Sequence, residues 1–517
     1  MGGNWSRRRA VGAGLCLSAI GLLRGSGANA EGLEYGAPEP FSFERLVVQA
    51  KEIAQQPFQL RPATAKWLTD LSPDQYRTIR YRADRAVPLN GSPFSLQLFH
   101  LGSYHQYPVR VRLVEGGNAR EILYDPALFV FGQVQVPSNL PPDGGFAGFR
   151  VHYVFEDGGV PHELLTFLGA SYFRAAARDT RFGISARGLA LVTGLGRPEV
   201  FPSFTDFWVY EPSDPRDPLQ ICALLDSPSV AGAYRFDLAP RDGTEVAVDS
   251  SLFFRSEISQ VGIAPLTSMF YFGSNDRVGI DDYRGEVHDS EGLSIWRATG
   301  EALWRPLLNP HSLHVSVFAD ENPRGFGLLQ RSRDYLAYGD LDARYDRRPN
   351  LWVEPKGAWG KGSVRLIEIP IQDEGHDNIV AFWTPQEPVN AGHELRVAYR
   401  LLWSLQPPLE TGLLSVFSTR VGAGGTPGGE RPADLRRVTI EFVPTGGSTP
   451  GGALPQAMVE CQNAECAPAL VRANEVTGGY QVAFEVRMNG TPVELRCSLV
   501  LDDKPVSETW LYRLDDG

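Results

Sequence analysis

Apolar residues in this chain alternate with polar ones over short runs, and each run stops at a turn signal. Val109, Val111 and Leu113 alternate up to Gly116-Gly117-Asn118, and Phe149, Val151, Tyr153 and Phe155 up to Asp157-Gly158-Gly159. Tyr234, Phe236 and Leu238, then Val246 and Val248, repeat the pattern. A period of two puts every second side chain on one face of a sheet, so these runs predict half-buried strands. Strands this short, without helices between them, predict an all-β fold of antiparallel sandwich type. The 54 glycines and 39 prolines supply the turns such a fold needs. One segment departs: Leu46, Val47, Ala50, Ile53 and Ala54 recur at helical spacing and predict a helix over 43–54.

At 517 residues the chain is too long for one core. The polar, Pro- and Gly-containing stretch 385–393 reads as a linker between a large sandwich over 31–384 and a second, immunoglobulin-like sandwich over 394–517. The second contains the cleanest alternation: Leu395, Val397, Tyr399, Leu401 and Trp403, then Val438, Ile440 and Phe442. There Tyr480 to Met488 runs into Asn489-Gly490 and on to Val493, Leu495, Cys497 and Leu499, which predicts a tight hairpin.

The first thirty residues read as an address. Arg7-Arg8-Arg9 precedes an apolar stretch from Ala10 to Leu23 and a small-residue end at Ala28-Asn29-Ala30. That is the layout of a secretory signal peptide of the twin-arginine type, and the run is shorter than the about 20 apolar residues of a membrane span. The mature chain is expected in the periplasm, with no membrane span. Net charge is −12, and losing a leader with four arginines and no acid makes it more negative, so nucleic acid is not an expected partner. In an oxidising compartment Cys461 and Cys466 could bridge across a short loop; reduced cysteines packed as small hydrophobes are the alternative.

Common catalytic signatures are absent, and no metal or cofactor is expected. Gly183 to Gly188 misses the nucleophile-elbow spacing, and His162-Glu163 lacks a second zinc-binding histidine. What stands out is a mixture of acids and tryptophans. Asp281, Asp282, Glu286, His288, Asp289 and Glu291 lie in one segment, and Asp373, Glu374, His376 and Asp377 in another; Trp296, Trp304, Trp352, Trp359 and Trp383 fall in the same stretch. Aromatic faces stack on sugar rings and carboxylates accept hydrogen bonds from hydroxyls, so the mixture suits a carbohydrate groove. The alternative is that the tryptophans are core and the acids solvated loops.

Six separated stretches carry a more specific signal: FLGASYFRA from Phe167, FPSFTDFW from Phe201, EVHDSEG from Glu286, ENPRGFG from Glu321, YDRRPNLWVEP from Tyr345 and DNIVAFW from Asp377. Together they resemble the periplasmic glucan biosynthesis proteins of types G and D, over about Phe41 to the C-terminus; the twin-arginine leader favours the D type. The resemblance implies a galactose-mutarotase-like β-sandwich followed by an immunoglobulin-like domain. It also implies work on the β-1,2-linked glucan backbone of osmoregulated periplasmic glucans, as an inverting hydrolase or transglycosylase, with Asp377 as general acid and Asp289 as general base. Trp296, Trp304, Trp352, Trp359, Trp383, Tyr345 and His288 are the expected sugar-binding residues. The departure is Gly375-His376 before Asp377, where the family commonly has Thr-Asn; a histidine there bears on the acid's pKa. A non-catalytic glucan-binding protein that guides nascent chains is the alternative. Expected partners are the glucan itself, the inner-membrane synthesis machinery and a second copy of the chain.

N-terminal sequencing of exported material is expected to begin at Glu31; full-length chain held in the membrane fraction would contradict the leader.

Overall fold

The computed structural model describes residues 32–136, 144–156, 158–408, 411–426, 428–429, 431–445 and 453–515. The leader and its cleavage point lie outside them. The fold is all-β, as the alternation predicts. Among the described residues a sixteen-stranded and an eleven-stranded sheet account for most strands. Their inner faces meet in one core: Phe207, Ile221, Phe236, Val248 and Leu401 from the first sheet pack with Leu96, Phe149, Phe167, Leu266 and Ala381 from the second. Every one of these is an alternate residue of its strand, and burying each large side chain contributes roughly 1.5–3 kcal/mol. The helix Phe43–Ala54 forms where predicted, with Ser42 accepting a hydrogen bond from the Arg45 amide at its start. Its Leu46 and Ala50 lie against Trp208, Cys222 and Phe253 on the outside of the first sheet.

Two sequence expectations are corrected by the pairing. The strand Glu394–Ser404, expected to open the second sandwich, runs inside the large sheet between Thr244–Phe254 and Asn350–Lys356. The stretch before it is likewise packed down: Val389 is buried and bridges Ile258. Chain composition marked a connection there, but composition carries no information about which strand is a neighbour. The second correction concerns Asn489-Gly490. Gly479–Arg487 pairs with Leu435–Val443, whereas Val493–Leu501 pairs with Gln456–Gln462 and Thr509–Leu514, so the two flanking strands lie in different layers. The Asn489 side chain accepts from the Thr491 amide and donates to the Asn463 carbonyl, turning the chain from one layer to the other. Both strands have one apolar face, and a sandwich can receive those faces from opposite sides as readily as a hairpin can align them.

The C-terminal sandwich has Ser415–Ala423, Leu435–Val443 and Gly479–Arg487 in one layer. Its other layer is welded to the large sheet through the parallel pairs Leu303↔Thr509 and Trp304↔Trp510. Arg331 reinforces the joint: its guanidinium lies 3.6 Å from the Trp304 ring centre and holds Glu508 by two bonds of 2.8 and 2.7 Å. Cys461 and Cys466 form a disulfide; Cys222 and Cys497 are free and buried.

Trp304 is 2% exposed within this joint. Trp304→Ala is expected to lower stability by about 3–5 kcal/mol, read by denaturant unfolding; a loss under 1 kcal/mol would contradict its placement in the core.

Candidate active site

The strand Val261–Ser268 runs on into Met269 and Phe270, and these last three residues position both candidate acids. The Ser268 carbonyl accepts from the Asn378 amide at 3.0 Å and the Met269 carbonyl from the Asp289 amide at 2.8 Å. The fully buried Asn378 side chain then reads Phe270 as a neighbouring strand would, accepting from its amide at 2.8 Å and donating to its carbonyl at 2.9 Å. A further bond of 2.7 Å joins the Ser290 and Ser268 hydroxyls. Asp289 is thus held through its own amide and Asp377 through the residue after it.

Their surroundings differ. Asp289 is 4% exposed and its carboxylate contacts the Arg348 guanidinium. Burial raises its pKa, opposed by Arg348 and His288. Asp377 is half-buried and, as described, has no such ion pair; burial first and the charge of Asp289 second push its pKa up to about 7, against the pull of Arg174 and Arg348. His376, expected to bear on this acid, is not among those causes.

Tyr345 and His288 are brought to the pair. Tyr345 is buried under Arg348, whose guanidinium lies 4.4 Å from its ring centre, and burial raises its phenol pKa. His288 is fully buried, stacked on Phe270; its Nδ1 donates to Gln330 Oε1 at 2.9 Å, while Nε2 faces the Glu286 carboxylate at 3.4 Å. Burial disfavours its charge, but Glu286, together with Glu291 and Gln330, outweighs that and raises its pKa. Gln330 also donates to the carbonyls of His288 and Tyr345, tying the two segments together. Nearby loops are gathered by Arg284, which pairs with Asp282, Asp340 and, through two bonds of 2.8 and 3.0 Å, Glu374.

The tryptophans are not brought to the pair. Trp304 and Trp352 are buried in the joint with the C-terminal sandwich, and Trp383 is fully buried in the main core. Trp359 is half-buried against Trp383 and Tyr399 and donates to the Ala398 carbonyl. Trp296 lies beneath the Arg324 guanidinium. The expected sugar platforms at Trp304, Trp352 and Trp383 are therefore packing residues, because their strands direct these indoles inward. A cavity of about 570 Å³ lies elsewhere, between the N-terminal helix and Arg110, Arg112, Asp206 and Trp208. It holds none of the expected site residues.

The family described as "Periplasmic glucan biosynthesis protein, MdoG" matches residues 41–514. The chain belongs to that family. It is a periplasmic protein, and among the described residues no helix is long and apolar enough to cross a membrane. A relative named glucans biosynthesis protein G from Shewanella sp. (strain W3-18-1) is 43% identical over 477 residues, 92% of this chain and 87% of that protein. Glucans biosynthesis protein D 1 from Ralstonia nicotianae is 42% identical over 519 residues, 97% and 96% of the two chains. A type G protein of Vibrio cholerae is 43% identical over 92% of this chain and 86% of its own. The relatives thus include both type G and type D names.

Residue-by-residue reading passed over Arg348, Arg174, Asn378 and Gln330. The first three lie inside family-like stretches, which was the available signal; their roles arise only from contacts across the fold.

An acid whose folded pKa is raised favours the folded state when protonated. Its contribution is fully present below the unfolded pKa of about 3.9 and lost as pH rises through about 7. Asp377→Asn should therefore melt higher than wild type at pH 8 and show no such gain at pH 4; an equal difference at both would refute the shift.

Proposed function

We propose that the protein acts on the β-1,2-linked backbone of periplasmic glucan as an inverting glycoside hydrolase or transglycosylase, with Asp377 as general acid and Asp289 as general base. The observation that carries this is the unequal pair itself: one carboxyl kept protonated near neutrality beside another held against a guanidinium. Inversion needs that inequality. Asp377 gives its proton to the glycosidic oxygen as the bond from the anomeric carbon breaks. Water attacks that carbon from the opposite face and releases its proton to Asp289, directly or through relaying hydroxyls. If a sugar hydroxyl takes the place of water, the same steps transfer the chain. Arg348 favours the ionised form of Asp289 against the effect of burial, and Tyr345 supports Arg348 by stacking. The names of the relatives, which place them in glucan biosynthesis, support the choice of substrate.

The reading is tested by incubating purified protein with linear β-1,2-glucan and following chain length and linkage. Asp377→Asn should lower turnover by about 10² to 10⁴ while glucan still binds. Wild-type activity should fall as pH rises through about 7, where the acid loses its proton. Wild-type protein that binds glucan but never changes it would instead favour a glucan-guiding protein working with the inner-membrane synthesis machinery. Near-normal turnover in the Asn variant would remove Asp377 from the acid role.

A further inference from the structure

The outer face of the eleven-stranded sheet, turned away from the main core, carries one continuous row of side chains. Gln97 lies opposite Arg150, Arg150 opposite Thr166 and Thr166 opposite Arg174. Further on, Ser185 lies opposite Thr267 and Thr267 opposite Val380. The pair Phe173↔Ala186 sets Arg174 beside Ser185 and joins the two halves. The alternate residues Phe173, Ala186, Leu266 and Ala381 all enter the main core, which fixes the outward direction of the row. Asp377 lies three residues before Val380, and the Arg174 charge acts on it.

The ends of this row are satisfied and its middle is not. Val380 is packed with Ala190, Ile367 and Phe382. Arg150 binds Gln97 and Glu163, and Thr166 donates to Glu163. Between them, Thr267 is 2% exposed and its hydroxyl has no hydrogen-bond partner. Arg174 is half-buried over the Phe182 ring, 4.8 Å from its centre, and forms no ion pair or hydrogen bond among the described residues. Ser185, between the two, is 6% exposed. Buried polar groups are otherwise nearly always bonded, because leaving them dry and unpaired costs free energy. An unpaired hydroxyl and a guanidinium without a hydrogen-bond partner, on the two strands that flank Ser185, with the Arg174 charge acting on both Asp289 and Asp377, point to a ligand that completes them.

We propose that Arg174, Ser185 and Thr267 form a hydroxyl-binding patch that holds the glucose unit next to the bond being broken. This rests on the glucan reading above. A guanidinium only donates, whereas Ser and Thr hydroxyls both donate and accept, which matches the vicinal hydroxyls of a neutral pyranose.

The test is calorimetric titration of the full mature chain with a linear β-1,2-linked glucose pentamer, paired with thermal melting. Thr267→Val removes an unpaired buried hydroxyl, so its melting temperature should hold or rise while affinity falls by roughly 3- to 10-fold. Arg174→Gln should weaken binding by about 10- to 100-fold, as expected for losing a charged hydrogen-bond donor. If wild type binds the pentamer and both variants bind it equally well, the patch is refuted and the glucan reading stands. If wild type does not bind it at all, both fall. A lower melting temperature for Thr267→Val with unchanged affinity assigns Thr267 to structure. Binding of inorganic phosphate that Arg174→Gln abolishes, with pentamer affinity unchanged, replaces the hydroxyl patch by an anion site.

Discussion

Everything distinctive about the candidate site depends on three consecutive main-chain residues, Ser268, Met269 and Phe270, holding two acidic segments at once. Carboxylates near one another repel, and burial penalises each charge separately, so loops bearing them would drift apart unless tied. Here the ties are backbone bonds and one fully buried amide side chain. With position fixed, the repulsion is relieved chemically instead: Asp377 keeps its proton to higher pH. The same constraint that strains the pair raises the pKa of both members, and at Asp289 Arg348 and His288 oppose the rise.

The anchoring extends beyond the large sandwich. Glu291, two residues after Asp289, accepts the amides of Arg331 and Ser332 at 3.0 and 2.9 Å. The Arg331 side chain passes over Trp304 to Glu508 and the Val416 carbonyl of the C-terminal sandwich. The second sandwich is thus connected through one arginine to the segment carrying Asp289, and its outer layer continues the large sheet. Rigidity at the joint is transmitted by packing and paired charge, and the two tryptophans that resembled sugar platforms in the sequence supply much of that packing.

Much of this was legible from residue order. Alternation at Phe149 to Phe155, at Tyr234 to Leu238 and at Leu395 to Trp403 marked real strands, and helical spacing marked Phe43–Ala54, because local periodicity reports which face is buried. The six family-like stretches pointed to Asp289, Asp377, Tyr345 and His288, and the structure gathers all four. It also gathers Arg348, Arg174 and Asn378, which as isolated residues carried no sign of their task. An arginine reads as a solvated charge until its partner, or its lack of one, is seen.

The sequence by itself determined the all-β class and the family and singled out the two candidate acids, since each is encoded within short segments. Only the tertiary structure decided which strands are neighbours, that Glu394–Ser404 belongs to the large sheet, that Asn489-Gly490 crosses between layers, and that Trp304, Trp352 and Trp383 are core. The physical reason is that burial direction and pairing partner depend on surfaces brought from far along the chain. A period-two pattern offers an apolar face without naming what will cover it, and a carboxylate's pKa is set by neighbours that sequence distance does not reveal.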